Sequence, residues 1–348
     1  MVLADGAGTG FEEAATLLAL VEAADRLHGV RRRHVAELVE HRGSTGALLE
    51  RGSVRGRPAQ GSAGRRLADD EPLERLMAAV TPEQVAAWQR RLARLSEEHP
   101  DVSLVTIANP MFPPGLRPTP STPFLFVRGQ LPLVGARAAA FAGTRRPSQE
   151  GIEATRELAG VLVTAGITVV SGLAEGIDTA AHGGTLAAGG WTVAVLGHGL
   201  LAPVYPPSNA ALAREIVHAG GAVVSQFWPW TGPNRQTFAR RNATSSALAL
   251  GTVVIEAGER SGARLQADLC LRQGRTLFLP ERLVATREWA RRYAGRSGVY
   301  VFRDGKDVVD HLGHPGRHGR DAHHDNDGTG TSLKPRPVQL RFGDEAPW

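Results

Sequence analysis

Apolar residues fall at helical spacing from Phe11 to about Leu49, with Leu17, Leu18, Leu20 and Val21 on one stretch, Val35, Leu38 and Val39 on the next, and Gly29 and Gly43 as breaks. That spacing predicts a small unit of amphipathic helices. The pattern stops in RGSVRGRPAQGSAGRR, which ends at Arg66 and mixes Gly, Pro, Ser and Arg without a period. Such a stretch reads as a flexible connector with solvated arginines. Helical spacing returns behind Thr81-Pro82-Glu83, a threonine cap with proline in the first turn, and runs through Val85, Trp88, Leu92 and Leu95. Two extended segments, VSLVTIA and PFLFVRG, follow with prolines between them.

From Ala138 the period changes. Six short, continuously apolar runs, AAAFAG, ITVVSG, TVAVLG, AVVSQF, LGTVVIE and RTLFLP, alternate with amphipathic stretches such as GIEATRELAGVLVTAG. Strands of that kind are buried on both faces, so the pattern predicts an α/β fold: a Rossmann-like, doubly wound, mostly parallel sheet with a small N-terminal helical domain. The expected division is a helical domain over 1–53, a flexible linker over 54–75, a helix and extended lead-in over 76–137, the Rossmann-like core over 138–312 and a disordered tail over 313–348. The tail has almost no apolar content before Val338, and its His314, His318, His323 and His324 read as solvated low complexity rather than a metal site.

Composition narrows this picture only slightly. With 348 residues, 42% hydrophobic and 22% charged, the chain carries enough apolar side chain for a sizeable core and is not wholly disordered. Cys270 is its single cysteine, which excludes an internal disulfide or a thiolate cluster and suits a reducing, cytoplasmic compartment. The first apolar run lacks a basic leader and is broken by Glu22 and Asp25, so it reads as neither signal peptide nor membrane span. Of 40 cationic residues only Lys306 and Lys334 are lysines. Arginine forks suit phosphate, but a GC-rich genome produces the same bias. Cations exceed anions by only one or two in each third of the chain, so any phosphate site must be local.

In an open parallel sheet, ligands bind outside the carboxyl ends of the strands, so the turns there are where chemistry is sought. In FAGTRRPSQEG, Gly143, Thr144, Arg145 and Arg146 precede a helix opening at Pro147 and Ser148. Backbone approach, free helix-start amides and two guanidinium groups together make an anion site, the bland reading being arginines paired with carboxylates such as Glu150. In SGLAEGIDTAAH, Gly172 and Gly176 bracket a loop, Asp178 is placed to cap the next helix, and His182 is either a packed histidine or an acid–base oriented by Asp178. LGHGLLAPVYPPSN adds Gly197, Gly199, Tyr205 and an Asn209 that caps or contacts a ligand. QFWPWTGPNRQTFARRNATSS interleaves Trp228, Trp230 and Phe238 with Arg235, Arg240, Arg241 and Asn242. Rings and cations in alternation suit single-stranded nucleic acid, although Trp228 and Phe238 serve equally well as core. IEAGERSGARLQADLC offers Glu256, Ser261 and Gly262. Neither a catalytic triad, a carboxylate pair nor a standard Gly-rich phosphate fingerprint can be assembled.

Taken in order, FAGTRRP, VVSGLAEGIDTAAHGGTL, TVAVLGHGLLAPVYPPSN, FARRN, VVIEAGERSGA and QGRTLFLP resemble the DNA-processing protein DprA (Smf) family, and the likeness runs from about residue 11 to 312. The resemblance implies a non-enzymatic, cofactor-free protein that binds single-stranded DNA, forms a homodimer and loads a RecA-type recombinase, notably in natural transformation. It places Gly143, Thr144 and Arg145 on the family's Gly-Ser/Thr-Arg turn, whose arginine grips phosphate, with Arg146 beside it. Gly172, Gly176, Asp178 and His182 match the second motif, Tyr205, Pro206 and Asn209 the third, Phe238, Arg241 and Asn242 the fourth, and Ser261 and Gly262 the fifth. Several positions depart from the family's pattern. Glu175 stands where the family usually has a cation that touches DNA, Ala243 replaces an arginine, Gln226 a glutamate and Glu281 a glycine, and the family's optional C-terminal winged helix is not evident. Two other readings keep the fold: a nucleotide sensor or phosphoribohydrolase, for which the P-G-G-x-G-T-x-x-E signature is missing, and a degenerate paralogue that only dimerises.

Overall fold

The computed structural model describes residues 9–42, 70–117, 122–131 and 137–313. Among the described residues nine strands form one sheet: β1 (Val102–Thr106), β2 (Phe124–Gly129), β3 (Ala138–Ala142), β4 (Thr168–Ser171), β5 (Thr192–Val195), β6 (Ala222–Ser225), β7 (Gly251–Val254), β8 (Thr276–Pro280) and β9 (Val299–Phe302). Their spatial order is β1-β2-β6-β5-β4-β3-β7-β8-β9. The six apolar runs are β3 to β8, parallel as their composition predicts, and β9 extends the parallel set at one edge. The extended segments VSLVTIA and PFLFVRG form β1 and β2. They pair antiparallel with each other, Leu104 opposite Phe126, and β2 pairs antiparallel with β6, Phe126 opposite Ser225.

Twelve helices flank the sheet among the described residues. Those before it are α1 (Thr9–Arg26), α2 (Arg32–Arg42), α3 (Asp70–Ala78) and α4 (Pro82–Glu98). Those interleaved with it are α5 (Gln149–Thr164), α6 (Ile177–Ala187), α7 (Ala210–His218), α8 (Arg235–Ala247), α9 (Gly262–Arg272), α10 (Glu281–Thr286), α11 (Glu288–Ala294) and α12 (Gly305–Gly313). Successive strand residues serve opposite faces. Ala139 and Phe141 of β3 join Leu158 and Leu162 of α5 and Val308 and Leu312 of α12. Ala142 joins Ala263, Ala267 and Cys270 of α9 and Trp289 of α11. Burial on both faces is why these runs show no polar alternation.

Helix α4 starts as its sequence requires: Thr81 Oγ accepts from Gln84 N at 3.3 Å and Gln84 Oε1 accepts from Thr81 N at 2.8 Å, with Pro82 in the first turn. Helix α3 occupies 70–78, so the described end of the supposed connector is helical; Leu73 and Leu76, three apart and buried, supply its inner face. The remainder of that connector, and the tail with His314, His318, His323 and His324, lie outside the described residues. No helix among the described residues is long and apolar enough to cross a membrane.

The N-terminal helices share a core with the sheet edge, where Leu17, Leu18, Trp88 and Leu92 cluster with Leu104, Phe124 and Phe126. A polar staple reinforces the joint. Arg32 is 8% exposed, donates to both carboxylate oxygens of Asp25 at 2.8 and 2.6 Å and to the Gln226 carbonyl at 3.3 Å. Its guanidinium lies 5.5 Å from the centroids of both Phe124 and Trp228, and Trp228 stacks on Trp88 at 5.0 Å. Trp228 thus belongs to this joint. Arg240 lies 5.3 Å over Phe227, and burial, with Arg32 nearby, pushes its guanidinium down to about 10.

Candidate nucleic-acid interface

Strand β3 opens the parallel set; β4, β5 and β6 are laid down on one side of it and β7, β8 and β9 on the other. Winding reverses between the carboxyl ends of β3 and β7, the place where open α/β sheets bind ligands. A cleft of about 370 Å³ opens there. It is walled by the turn after β3 (Gly143, Thr144, Arg145), by Ala174 and Asp178, by Arg235, Phe238, Arg241 and Asn242 of α8, and by the start of α9 from Ser261 to Gln266.

The turn after β3 is fixed from both sides. Thr144 N donates to the Glu256 carbonyl at 2.7 Å, and the Thr144 carbonyl accepts from Ile177 N at 3.2 Å. Gly143 packs on the Ile177 side chain. Arg145 is exposed, with its guanidinium 5.6 Å over the Phe238 ring. Arg146 is exposed too but does not line the cleft. The start of α5 is not the open anion site that its sequence promised. Ser148 N and Oγ both donate to Glu256 Oε2 at 3.0 Å, and Ser148 Oγ accepts from Gly151 N, so the chain's own carboxylate occupies that helix start. Glu150 pairs with Arg282 and not with Arg145 or Arg146.

Asp178 is not the cap of α6; the helix starts at Gly176 without a side-chain cap. Asp178 Oδ2 instead accepts from Gly172 N at 3.1 Å and Ala174 N at 3.2 Å, and lies 3.6 Å from Arg241 Nη1. Between those amides Leu173 has φ 59°, an unfavourable region for a branched side chain, and its carbonyl accepts from Asn209 Nδ2 at 2.9 Å. Only glycine fits at 172, where a Cβ would fall 1.1 Å from Arg241 Nη1, and at 176, where φ is +80° and a Cβ would meet the Thr144 carbonyl at 2.4 Å. Gly172 and Gly176 therefore stand behind the cleft and shape it. Burial pushes the Asp178 carboxyl up and the Arg241 guanidinium down from their ordinary values, and each charge opposes the other's shift.

Arg241 is thus a buried, ion-paired arginine with one edge on the cleft, not a free phosphate grip. Phe238 holds a more open place, half-buried, with Tyr205 tilted against it at 5.7 Å. Asn242 Nδ2 donates to the Gly262 carbonyl at 3.2 Å, and Ser261 Oγ caps α9 by accepting from Arg264 N at 3.3 Å. His182 is buried in the interior, away from the cleft. Its Nδ1 lies 2.7 Å from Thr192 Oγ, whose own proton goes to the Val169 carbonyl, so His182 carries its proton on Nδ1. Burial, aided by Arg241, lowers it to about 3, which leaves a neutral packing group rather than an acid–base.

Arg235 and Gln266 line the cleft although no motif of the resemblance includes them. Arg235 sits at the first position of α8, and Gln266 lies four residues after Gly262, hence on the same face of α9. The family departures fall mostly elsewhere. Ala243 and Gln226 are buried in the interior, Glu281 pairs with Arg303, and Glu175 is exposed with Oε1 accepting from Ser208 Oγ at 3.1 Å. None of the four lines the cleft.

Comparison with known proteins places this geometry. The family model described as DNA recombination-mediator protein A matches residues 103–312. Protein Smf of Escherichia coli (strain K12) is 38% identical over 182 residues, 52% of this chain and 48% of its own length, so the chain spans about half the length of that relative. The X-ray structure of DNA processing protein A (DprA) from Streptococcus pneumoniae superposes with a TM-score of 0.61 at 24% identity, over 86% of this chain and 97% of that one. DNA processing protein A from Helicobacter pylori, described for its unique single-stranded DNA binding mode, superposes with a TM-score of 0.53 at 22% identity, over 61% and 95%. Both likenesses support the Rossmann-like sheet.

Proposed function

The chain belongs to the DNA recombination-mediator protein A family, and from that premise we propose that it binds single-stranded DNA across the switch-point cleft, acts by binding rather than catalysis, and passes the strand as a homodimer to a RecA-type recombinase. The observation that supports this reading best is Arg145: an exposed guanidinium stacked over Phe238 at the edge of a cleft that also holds Arg235 and the start of α9. A cation beside an aromatic face offers a strand what it presents in repetition, phosphate and base. Protection of the strand and a place in natural transformation follow on this reading from the same contact.

Fluorescence anisotropy of a labelled oligo-dT against the full chain tests it. Binding should weaken with salt, the logarithm of affinity falling with a slope of roughly −0.7 per phosphate neutralised. Absence of salt-sensitive binding at low ionic strength would remove the proposal. A chain stabilised strongly by free nucleotides and indifferent to oligonucleotides would favour the nucleotide-sensor reading instead.

A further inference from the structure

The segment that sends Trp228 to the staple and Phe238 to the cleft carries a third ring, Trp230, which belongs to neither. At 68% it is the most exposed large apolar side chain among the described residues. Its backbone is nevertheless fixed. Thr231 N donates to the Trp228 carbonyl at 2.9 Å, the Pro229 carbonyl accepts from Leu201 N at 2.8 Å and from Ala202 N at 3.1 Å, and the Thr231 carbonyl accepts from Gly199 N at 2.7 Å. The loop that supplies those amides is tied to the cleft in turn. Tyr205 N donates to His198 Nε2 at 3.2 Å, and the Tyr205 ring, 41% exposed, tilts against Phe238. Trp230 follows β6 and Tyr205 follows β5, so both stand on the carboxyl-end rim that the cleft also occupies. Trp191, 51% exposed, precedes β5 and stands at the opposite end of the sheet. A tryptophan held in water by a fixed loop offers a large contact area at little cost in ordering.

Charge and neighbours identify what this ring takes. No Asp or Glu lies between Glu215 and Glu256, a stretch that holds Arg235, Arg240 and Arg241, so the surroundings favour a polyanion. Trp230 is flanked by Pro229, Thr231, Gly232 and Pro233 and has no second exposed large apolar side chain on its own loop. It presents one ring in a polar rim, whereas a protein-docking surface wants a contiguous apolar patch. Resting on the proposed binding of single-stranded DNA, we infer that Trp230 is a second stacking platform, outside the cleft, for a base further along the same strand. Five residues separate it from Arg235 at the cleft edge, a span of about 18 Å at most. At the duplex spacing of about 3.4 Å per nucleotide a strand covers that distance in about five nucleotides, and in fewer when stretched. Every base has a π-face, so this contact lengthens the footprint without reading sequence.

The test is anisotropy of the full chain with labelled oligo-dT over a series from about four to about sixteen nucleotides at one salt concentration. Affinity of the unaltered chain should step up at the length that reaches the ring. Trp230→Ala should remove that step, with a loss of about tenfold on the longest strand and less than about twofold on the shortest, at unchanged melting temperature. Trp230→Phe keeps a ring and should restore most of the step, which a merely structural role for the indole would not explain. An equal loss at every length, or an unaltered length dependence, overturns the inference while leaving strand binding in the cleft intact. Light scattering covers the other occupant: if Trp230→Ala splits an assembly of the chain and leaves the length dependence alone, the ring is a contact between copies and the inference is equally overturned. If the unaltered chain binds no strand of any length, the proposed function itself falls.

Discussion

Arg32 and Arg145 both lie over aromatic rings at nearly the same distance, 5.5 and 5.6 Å, and their surroundings are opposite. Arg32 is 8% exposed, and its fork is filled by Asp25 and a backbone carbonyl. Arg145 is exposed, and no carboxylate is among its contacts in the described structure. A satisfied arginine over a ring is a staple between helices and sheet. An unsatisfied one at a strand switch point is a place where an anion can end its search. The difference lies in the third partner, which is set by chain segments far apart in sequence, residue 25 against residue 228 in one case and residue 145 against residue 238 in the other.

The largest effect that would sharpen this contrast is on stability. Arg32→Ala removes a buried guanidinium that joins Asp25 to the Gln226 carbonyl. Because the Asp25 carboxylate is 36% exposed and keeps Trp228 Nε1 as a donor, the cost is about 1–2 kcal/mol. A thermal melt should fall by several degrees, while affinity for oligo-dT changes by less than about twofold. Loss of binding without loss of stability would mean that the staple belongs to the interface, and the contrast would dissolve. This is also where the sequence was least legible. The segment from Trp228 to Asn242 reads as one alternation of rings and cations, yet Trp228 goes to the staple and Phe238 to the cleft. Nothing local separates them, because the partners that decide, Trp88, Asp25 and Arg145, lie on other elements. The six apolar runs, by contrast, carry their own burial on both faces and needed no distant partner to be read as strands.

A second effect concerns acid. Neutral His182 sits behind the cleft with its proton affinity lowered to about 3 from an ordinary value near 6.5. Between those values the unfolded chain binds a proton that the folded chain refuses. His182 therefore contributes full stability above about pH 6.5 and loses it as pH falls, by about 1.4 kcal/mol per unit. His198, lowered by burial, acts in the same sense, and Asp178, raised by burial, acts against both. Melting temperatures from pH 7.5 down to pH 4 should decline, and His182→Asn, which keeps the donor to Thr192, should flatten that decline. An unchanged slope would show that His182 is protonated in place.

At the cleft, Arg145→Ala should reverse the pattern seen for Arg32: unchanged melting, about tenfold weaker binding, and a salt slope shallower by about 0.7, the share of one phosphate. The motif FAGTRRP placed this arginine correctly at a turn, but the helix start behind it was misread as open. Glu256, 108 residues from Ser148, fills it, and a contact over that separation leaves no trace in local pattern. Gln266 had a legible signal, its spacing of four from Gly262, which is hidden only by the frequency with which glutamine decorates helices at random.

The smallest effect falls on Glu175, an exposed acidic residue in the loop between β4 and α6. Glu175 precedes Gly176, whose backbone presses on Arg145 so closely that a Cβ there would stand 2.7 Å from the Arg145 carbonyl carbon. Its carboxylate is exposed and held by Ser208 Oγ at 3.1 Å rather than by a cation, and it is not part of the cleft wall. An exposed charge outside the contact acts through water and is screened by salt, so it opposes a nearby phosphate by a few tenths of a kcal/mol rather than by several. Glu175→Gln should therefore tighten oligo-dT binding by less than about twofold and Glu175→Arg by about threefold, with the gain disappearing at high salt. A gain above tenfold would place Glu175 in direct contact with the strand and move the path of the DNA from the switch point toward the loop between Gly172 and Gly176. The dependence on salt separates these cases, because a carboxylate in a dry contact is not relieved by ions that cannot reach it.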